Sequence, residues 1–369
     1  MQNTVKGILL AAAVLGFAGC ASVASRAPLT TRFFVYVTST SSNNISAFAM
    51  DAGSGALTPI TGSPFTAGAT ARGLAVHPSG KFLYVANTGS NNVSAYAINA
   101  TTGALTPISG SPFAAGLGAW NIAADPVGRF VFVTNYGGDS ISAFRVNSVT
   151  GELAAVDGSP FAAGSNPAGI VSDPRGAFLY VTNNGSNTVS LYSVNGRTGS
   201  LTAAPSQVVD AGLYPAGVAG DPAGKYLYVV NNGSATVSMY SINPGTGGLT
   251  ASAPAIAAGP SPWGAVAAPS GKYVFVVNAG DATVSAYEVT AGNGVLTPVP
   301  GSPFSAGSSP RTVAMDPSGS FLYVANYGSG NVSAYSVDAA TGAITAMERS
   351  PFAVGTRPGG IAVAEVKGP

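Results

Sequence analysis

The side chains best suited to bind a ligand in this sequence are three arginines and both tryptophans. Four of these five recur at one position of a repeated pattern, whose seven occupants are Arg72, Trp120, Ala168, Ala216, Trp263, Arg311 and Gly359. The fifth, Arg357, lies two residues before Gly359. A guanidinium fork suits a carboxylate or a phosphate, and an indole face suits a sugar ring or a cation. We therefore predict a ligand-binding site for a small anion, such as a sugar acid or a phosphate, if the fold brings this position together.

The elements that must position these residues are seven copies of one unit. An aromatic-Val-x-Asn motif occurs at residues 84–87, 132–135, 180–183, 228–231, 275–278 and 323–326, with a degenerate first copy at 36–39. The steps between copies are 48, 48, 48, 48, 47 and 48 residues. A second series keeps the same period through Gly73, Asn121, Gly169, Gly217, Gly264, Thr312 and Gly360. So regular a period indicates a repeat architecture in which each unit packs against its neighbours.

Each copy is typical of four short β-strands. In the second copy, residues 73–76 are small and apolar, and residues 81–86 are aromatic and β-branched. Two further strands follow at 93–98 and 104–108, and the last carries a proline, which favours an edge. We predict an all-β, seven-bladed β-propeller of four-stranded antiparallel blades.

The two ends of the repeated region indicate how the ring closes. The chain begins with a second strand at residues 33–38 and ends with an orphan first strand at residues 360–364. We predict that this C-terminal strand completes the N-terminal blade, so that the ring has no free edge. Because the start of each innermost strand lines the mouth of a propeller channel, the arginines and tryptophans should form an arc there. The competing interpretation is that they plug the channel, or pair with acids such as Asp139 and Asp281.

The Tyr-Val-Thr-Asn core, preceded by Asp-Pro-x-Gly as at residues 173–176, resembles the YVTN-repeat β-propellers. More broadly, the chain is similar to the seven-bladed lactonase-like family that includes bacterial 6-phosphogluconolactonase. The resemblance covers nearly all of the chain after its leader, and most of the matching residues belong to the blade framework. It implies an active site of Arg, His and acidic residues at the central mouth. The one histidine, His77, falls elsewhere, in a turn slot that Asp125 and Asp173 occupy in other copies.

Two functions therefore remain open. The first is an exported protein that binds a small anionic ligand, or an envelope protein or glycan, at the mouth without catalysis. The second is a metal-independent lactonase, in which the arginines would hold the substrate anion or stabilise the oxyanion formed when water attacks the ring carbonyl. Hydrolysis needs a general base, for which the candidate catalytic residues are Asp139, Asp210 and Asp281. No G-x-S-x-G nucleophile motif occurs in the sequence.

Composition narrows the range of partners. Only 8% of residues are charged and the formal net charge is +1, so the chain lacks the basic surface that nucleic-acid binding needs. One cysteine and one histidine exclude zinc fingers, iron–sulfur centres and a disulfide framework. We expect no metal, no cofactor and a monomer.

The first twenty residues resemble a bacterial lipoprotein signal. Lys6 precedes an apolar run over residues 7–18, which is too short to span a bilayer. The only cysteine, Cys20, follows Ala-Gly, where that family places its acylated residue, although Phe17 stands where leucine is usual. The alternative is an unpaired, buried cysteine. In that family Ala21 indicates the outer membrane, so we expect lipidation at Cys20 and a cell-envelope or otherwise secreted location.

These observations give a simple domain organisation. We expect a signal peptide over residues 1–20, a tether over residues 21–31 and the propeller over residues 32–369. The folded part has almost no net charge, so we expect membrane contact through the lipid anchor only.

Overall fold

The computed structural model describes residues 30–368, which form seven antiparallel β-sheets. The sheets are the blades of a propeller, numbered here I to VII in the chain order of their second strands. The predicted all-β, seven-bladed fold is confirmed, and the single helical element among the described residues is a 3-10 turn, Pro205–Gln207. No helix within residues 30–368 is long and apolar enough to cross a membrane. The predicted signal peptide, with Cys20, and all but the end of the predicted tether lie outside the described residues.

The strands of each blade are numbered outward from the central axis. From blade I to blade VII, the inner strands are Pro358–Gly368, Ala71–Val76, Ala119–Ala124, Pro167–Ser172, Pro215–Gly220, Pro262–Ala267 and Pro310–Met315. The second strands are Thr30–Ser39, Phe82–Asn87, Phe130–Asn135, Phe178–Asn183, Tyr226–Asn231, Tyr273–Asn278 and Phe321–Asn326. The third strands are Asn44–Met50, Asn92–Ile98, Ser140–Val146, Thr188–Val194, Thr236–Ile242, Thr283–Val289 and Asn331–Val337.

The outer edge departs from the prediction of one simple fourth strand. The outer strands are Leu57–Pro59, Leu105–Pro107, Leu153–Ala155, Leu201–Ala203, Leu249–Ala257, Leu296–Pro298 and Ile344–Ala346. Six blades add a two-residue segment that pairs with the third strand, namely Phe65–Thr66, Phe113–Ala114, Phe161–Ala162, Val209–Asp210, Phe304–Ser305 and Phe352–Ala353. In blade I the turn between the two pieces is held by Ser63, whose Oγ accepts the amide of Ala47 at 2.9 Å. The outer strand of blade V runs unbroken.

The aromatic-Val-x-Asn motif forms the second strand, which is largely apolar and buried because it has a blade on each side, and which ends in a buried asparagine in six blades. Alternate side chains point to opposite faces of a strand. In blade II, Leu83 and Val85 accordingly pack with residues of blade I, whereas Tyr84 packs with blade III. The buried Tyr84 hydroxyl donates to the carbonyl of Gly151 in blade III at 2.9 Å. The motif is therefore framework that joins each blade to the next.

The ring closes as predicted, between the two ends of the propeller. The second strand of blade I pairs antiparallel with the C-terminal strand, from Thr30 opposite Gly368 to Ser39 opposite Pro358. This ladder is longer than the predicted contact of residues 33–38 with 360–364. Both ends of the described residues are thus fixed in one sheet, and the innermost strand of blade I is the last described element.

Candidate functional site

The repeated arginine and tryptophan position is the second residue of each inner strand, at the end of the channel where those strands begin. In all seven blades the pairing of the inner and second strands changes register here. Such a β-bulge redirects a side chain out of the regular alternation of the strand. The glycine that often follows is needed because neighbouring strands approach closely. A Cβ at Gly217, for example, would lie 2.4 Å from the carbonyl oxygen of Trp263.

A cavity of about 190 Å³ occupies the channel behind this mouth. It is lined by inner strands of six blades, and Arg72, Trp120, Trp263 and Arg311 of the predicted site contribute to its wall. Arg357 does not line the cavity and is exposed at its rim. Five predicted residues therefore surround one mouth, four of them in direct contact with the cavity.

Arg72 belongs to a stack of three planar groups. Its guanidinium carbon lies 3.4 Å from the ring centroid of Trp120. The ring of Tyr136 stacks on the same indole with centroids 4.4 Å apart and planes inclined by 22°. A guanidinium and a phenol at these distances would overlap if they shared one face, so they occupy opposite faces of Trp120. The indole is therefore a support for Arg72, stabilised by a cation–π contact.

Arg311 is held by aromatic rings in the same way. Its guanidinium carbon lies 3.6 Å from the ring centroid of Tyr327 and 4.9 Å from that of Trp263. Arg357 approaches the same tyrosine at 5.8 Å. Rings that cover the faces of a guanidinium leave its N–H edges available for hydrogen bonds in the plane, which is the geometry that carboxylates and phosphates use.

The charge of these arginines is not neutralised by the protein. No carboxylate among residues 30–368 forms an ion pair with Arg72, Arg311 or Arg357. The Nε atoms of Arg72 and Arg311 are buried and have no hydrogen-bond acceptor in the described part of the chain. Burial, followed by the charge of Arg311, lowers the pKa of Arg72 to about 10. Burial also lowers the pKa of Arg311; Tyr327 opposes this shift, and the charge of Arg357 adds to it.

Two aromatic residues of the site, Tyr136 and Tyr327, were not predicted. Both come directly after the asparagine of the aromatic-Val-x-Asn motif. The equivalent residues in the other blades are Thr40, Thr88, Asn184, Asn232 and Ala279. Where it is Thr or Asn, the side chain bonds a backbone carbonyl near an inner strand, as Thr88 does to Ala119 at 2.7 Å. The change from a short polar residue to tyrosine in two blades was the available signal.

The three acidic candidates do not converge on the cavity. Asp139 lies in the exposed turn after a second strand, and its Oδ1 accepts the amide of Asn166 at 2.7 Å. Asn43, Asn91 and Asn187 make the equivalent bond in other blades. Asp281 accepts a hydrogen bond from its neighbour Thr283 at 2.8 Å, and Asp210 belongs to an outer segment of blade IV. No carboxylate of the described residues lines the cavity, so the expected general base is not found there, nor is a pairing of acids with the arginines.

His77 lies at the opposite end of the channel. The buried ring contacts Ser79 through Nδ1 at 2.7 Å and the carbonyl of Gly128 through Nε2 at 2.9 Å. Its partners belong to its own turn and to that of the next blade, so His77 has a structural role in this turn. Within residues 30–368 no group of His, Cys, Asp and Glu side chains could hold a metal ion.

Comparison with known proteins agrees with the seven-bladed fold. The profile of the family described as "Lactonase, 7-bladed beta-propeller" matches residues 28–120, 108–212 and 221–358. A search of curated proteins finds no match.

Similar solved structures include a candidate 6-phosphogluconolactonase of Bacteroides fragilis, with 21% identity and a TM-score of 0.80, covering 90% of this chain and 98% of that one. The periplasmic gluconolactonase of Pseudomonas aeruginosa has 21% identity and a TM-score of 0.76, covering 91% and 100%. A Lactobacillus plantarum protein has 20% identity and a TM-score of 0.76, with the same coverage. At these identities the structures show that the fold is shared.

Proposed function

This chain belongs to the seven-bladed β-propeller lactonase family, and on that premise we propose that it binds a small anion at its central mouth. The observation that supports the proposal is the pair of half-buried arginines, Arg72 and Arg311, whose Nε atoms are buried and have no acceptor among the described residues. Like charges held close together and out of water disfavour their own charged forms. A bound oxyanion would remove this repulsion and supply the missing acceptors.

The energy available to such a site is substantial. A hydrogen bond to a charged group contributes about 1.5–3 kcal/mol. Both arginines are already held by aromatic rings, at 3.4 Å from Trp120 and 3.6 Å from Tyr327. Little side-chain freedom remains to be lost when the ligand binds, which favours affinity.

Titration of the full chain tests this function. Both tryptophans lie at the mouth, so their fluorescence should change when inorganic phosphate, sulfate, acetate or gluconate binds, and the melting temperature should rise. Arg311→Met should shift the response to anion concentrations about 10- to 100-fold higher. Lys81→Met is the matched control, since Lys81 is exposed in a turn at the far end of the blade. If none of these anions, and none of the carboxylates tested below, changes either signal, the aromatic and arginine groups are a structural plug.

A second candidate function is lactone hydrolysis, which the family match and the gluconolactonase among the similar structures favour. In this chain Arg72 and Arg311 would stabilise the oxyanion formed at the ring carbonyl. The cavity wall supplies no carboxylate to activate water, so the proposal predicts a slow reaction that rises with hydroxide concentration. Purified protein should open glucono-δ-lactone and simple alkyl δ-lactones faster than buffer does, and Arg311→Met should return the rate to that of buffer. Equal rates for both proteins would reject hydrolysis at this site.

We also propose that Cys20 anchors the protein in the cell envelope, at the outer membrane, through a lipid. The Ala-Gly-Cys context supports attachment, and the periplasmic location of one similar protein is consistent with export. One acyl chain binds a membrane only marginally, so the proposal requires at least two. Labelled palmitate should enter the wild-type chain and not the Cys20→Ser variant. Absence of label from the wild type would contradict lipidation.

A further inference from the structure

We infer that the anion taken by this mouth is a compact carboxylate with an apolar body, and not a polyhydroxylated sugar acid. The inference rests on the proposed anion site and narrows its ligand class. Three features of the described residues support it: the small number of hydrogen-bonding partners for hydroxyl groups, the occupied faces of Trp120, and an apolar segment of the rim far from Arg357.

The cavity offers little that could bind hydroxyl groups. Apart from the arginines, the polar side chains of its wall, excluding the indole N–H groups, are Asn121 and Thr312. The Oδ1 of Asn121 already accepts the amide of Ile122 at 2.9 Å. The Oγ1 of Thr312 has no partner among the described residues and could serve one ligand hydroxyl, which is few for a polyhydroxylated ligand. The rest of the wall is glycine, alanine and branched apolar residues, among them Ala216 and Val218. Each sugar hydroxyl enclosed there without a partner would lose its hydrogen bonds to water, which is unfavourable.

Trp120 cannot compensate by stacking on a sugar, because both of its faces are occupied. Sugar rings bind proteins by placing a C–H face on an open aromatic face. Arg72 and Tyr136 cover the two faces of Trp120. Trp263 has Arg311 near its ring, with the guanidinium carbon 4.9 Å from the centroid. The sequence prediction that both indoles flank a ligand therefore changes, because Trp120 serves to hold a cation.

The rim of the mouth places Arg357 far from a pair of adjacent exposed apolar side chains, while a single exposed leucine, Leu117, holds the slot of Leu213 in blade III. Arg357 of blade I immediately precedes its inner strand, and Tyr214 holds the same slot in blade V. Blades I and V are three positions apart in a ring of seven, which is the largest separation possible. Tyr214 is 55% exposed and its neighbour Leu213 is 54% exposed. Two large apolar side chains next to each other in solvent often mark a binding surface.

These features give the ligand a direction. Its carboxylate would meet the N–H edges of Arg72 and Arg311, and its apolar body would lie along the wall formed by Ala216 and Val218, towards Leu213 on the far rim. Burying the body removes apolar surface from water on both partners. The cavity volume of about 190 Å³ has room for a body of a single ring or a short chain.

The test compares phenylacetate with phenylacetamide, gluconate and phosphate by calorimetry on the full chain. Phenylacetate should bind at least about tenfold more tightly than its neutral amide, because the amide lacks the charge that pairs with the arginines. The affinity for phenylacetate should also exceed the affinity for gluconate by about tenfold, because most gluconate hydroxyls lose their hydrogen bonds to water without gaining partners in the cavity. Tighter binding of gluconate or phosphate than of phenylacetate overturns the inference while leaving the proposed anion site intact. Failure of all four ligands to bind, together with the anions tested above, overturns both.

A rim variant separates the apolar contribution from the charge. Replacing Leu213 and Tyr214 together by serine should weaken phenylacetate binding by about threefold to tenfold through the lost apolar contact. The affinity for phosphate should stay the same, since phosphate has no apolar body. The matched control is Val149→Ser, because Val149 is 83% exposed in a turn of blade III. An equal loss of phenylacetate and phosphate affinity in the rim variant would overturn the proposed orientation.

Discussion

Arginines at the two ends of the propeller channel have opposite electrostatic environments. At the end away from the mouth, Arg129 donates from Nε to Asp125 at 2.8 Å and reaches the carbonyl of Gly196 at 3.1 Å. Arg175 likewise pairs with Asp173 at 3.1 Å. At the mouth, Arg72 and Arg311 have aromatic rings on their faces and no carboxylate partner in the described chain. The same residue type therefore completes a turn at one end and presents an unbalanced charge at the other.

The electrostatic consequence has opposite signs at the two ends. The hydrogen bond to Asp125 raises the pKa of Arg129, so its charged form stabilises the fold. Burial lowers the pKa of Arg72 to about 10, so its charged form is held there against a penalty. Structures retain such a penalty where the charge has another use, and buried or perturbed charges accordingly cluster at functional sites. The comparison teaches that charge balance, and not the presence of arginine, distinguishes a candidate site from framework.

The largest expected effect is that one arginine variant changes anion binding without lowering stability, while another lowers stability without changing binding. Arg311→Met should weaken phosphate and phenylacetate binding by about 10- to 100-fold, since a charge-assisted contact is lost, with the melting temperature unchanged or raised. Arg129→Met should leave both affinities unchanged and lower the melting temperature, because Asp125 is then buried without its partner. Calorimetric titration and thermal unfolding of the two variants measure this. Equal effects on binding would remove the distinction between the two ends.

The second effect concerns Asp125, the carboxylate that pairs with Arg129 at the end away from the mouth. The Asp125 side chain is only 1% exposed and accepts the amide, Nε and Nη2 of Arg129. Asp125→Asn should lower the free energy of unfolding by about 1–2 kcal/mol, less than for a fully buried pair because Arg129 remains one-third exposed. Denaturant titration measures the change, with Arg357→Met at the rim as the control that should show none. A loss of stability in the rim variant as large as in Asp125→Asn would contradict the comparison.

The sequence predicts the fold and the unusual residues at the mouth of the channel. The fold followed because the repeat period and the unmatched strands at the two ends encode both the blade and its closure. Arg72 and Trp120 were identified because a repeat position holding alanine or glycine elsewhere has no packing reason to hold them. Tyr136 lay beside a framework motif and was overlooked.

The acidic candidates failed for a different reason. Asp139 lies in a turn at the correct end of the blade, but its side chain bonds the amide of Asn166 in the next loop. Whether a turn carboxylate points into the mouth depends on backbone conformation that the residue type does not reveal. The direction of the Arg357 side chain could not be predicted for the same reason: it is exposed at the rim, whereas Arg311 lines the cavity.

A smaller effect should come from the aromatic supports. Tyr327→Leu removes the ring that lies 3.6 Å from Arg311, and a cation–π contact of this kind contributes about 0.5–2 kcal/mol. Phosphate affinity should fall about threefold to tenfold, and Tyr327→Phe should restore it because the ring face remains. At the opposite end, Phe178→Leu removes the ring 5.8 Å from Arg175 and should leave binding unchanged. If Tyr327→Phe binds phosphate as weakly as Tyr327→Leu does, the hydroxyl and not the ring face supports Arg311.

The smallest effect is a pH dependence of the affinity that comes from Arg72. Because the pKa of Arg72 is lowered to about 10, raising the pH from 8 to 10 should reduce sulfate affinity by about twofold, as half of the free protein loses the proton that the anion needs. Over the same rise the free energy of unfolding should fall, because burial raises the pKa of tyrosines such as Tyr36, Tyr84 and Tyr323, so that the folded state keeps protons that the unfolded chain loses. Calorimetry with sulfate, which does not titrate in this range, measures the affinity, and denaturant titration measures the stability. Arg72→Met should remove the change in affinity and keep the fall in stability, whereas Arg129→Met should keep both. Affinity that stays constant to pH 10 in the wild type would show that Arg72 is not the charge that the anion contacts.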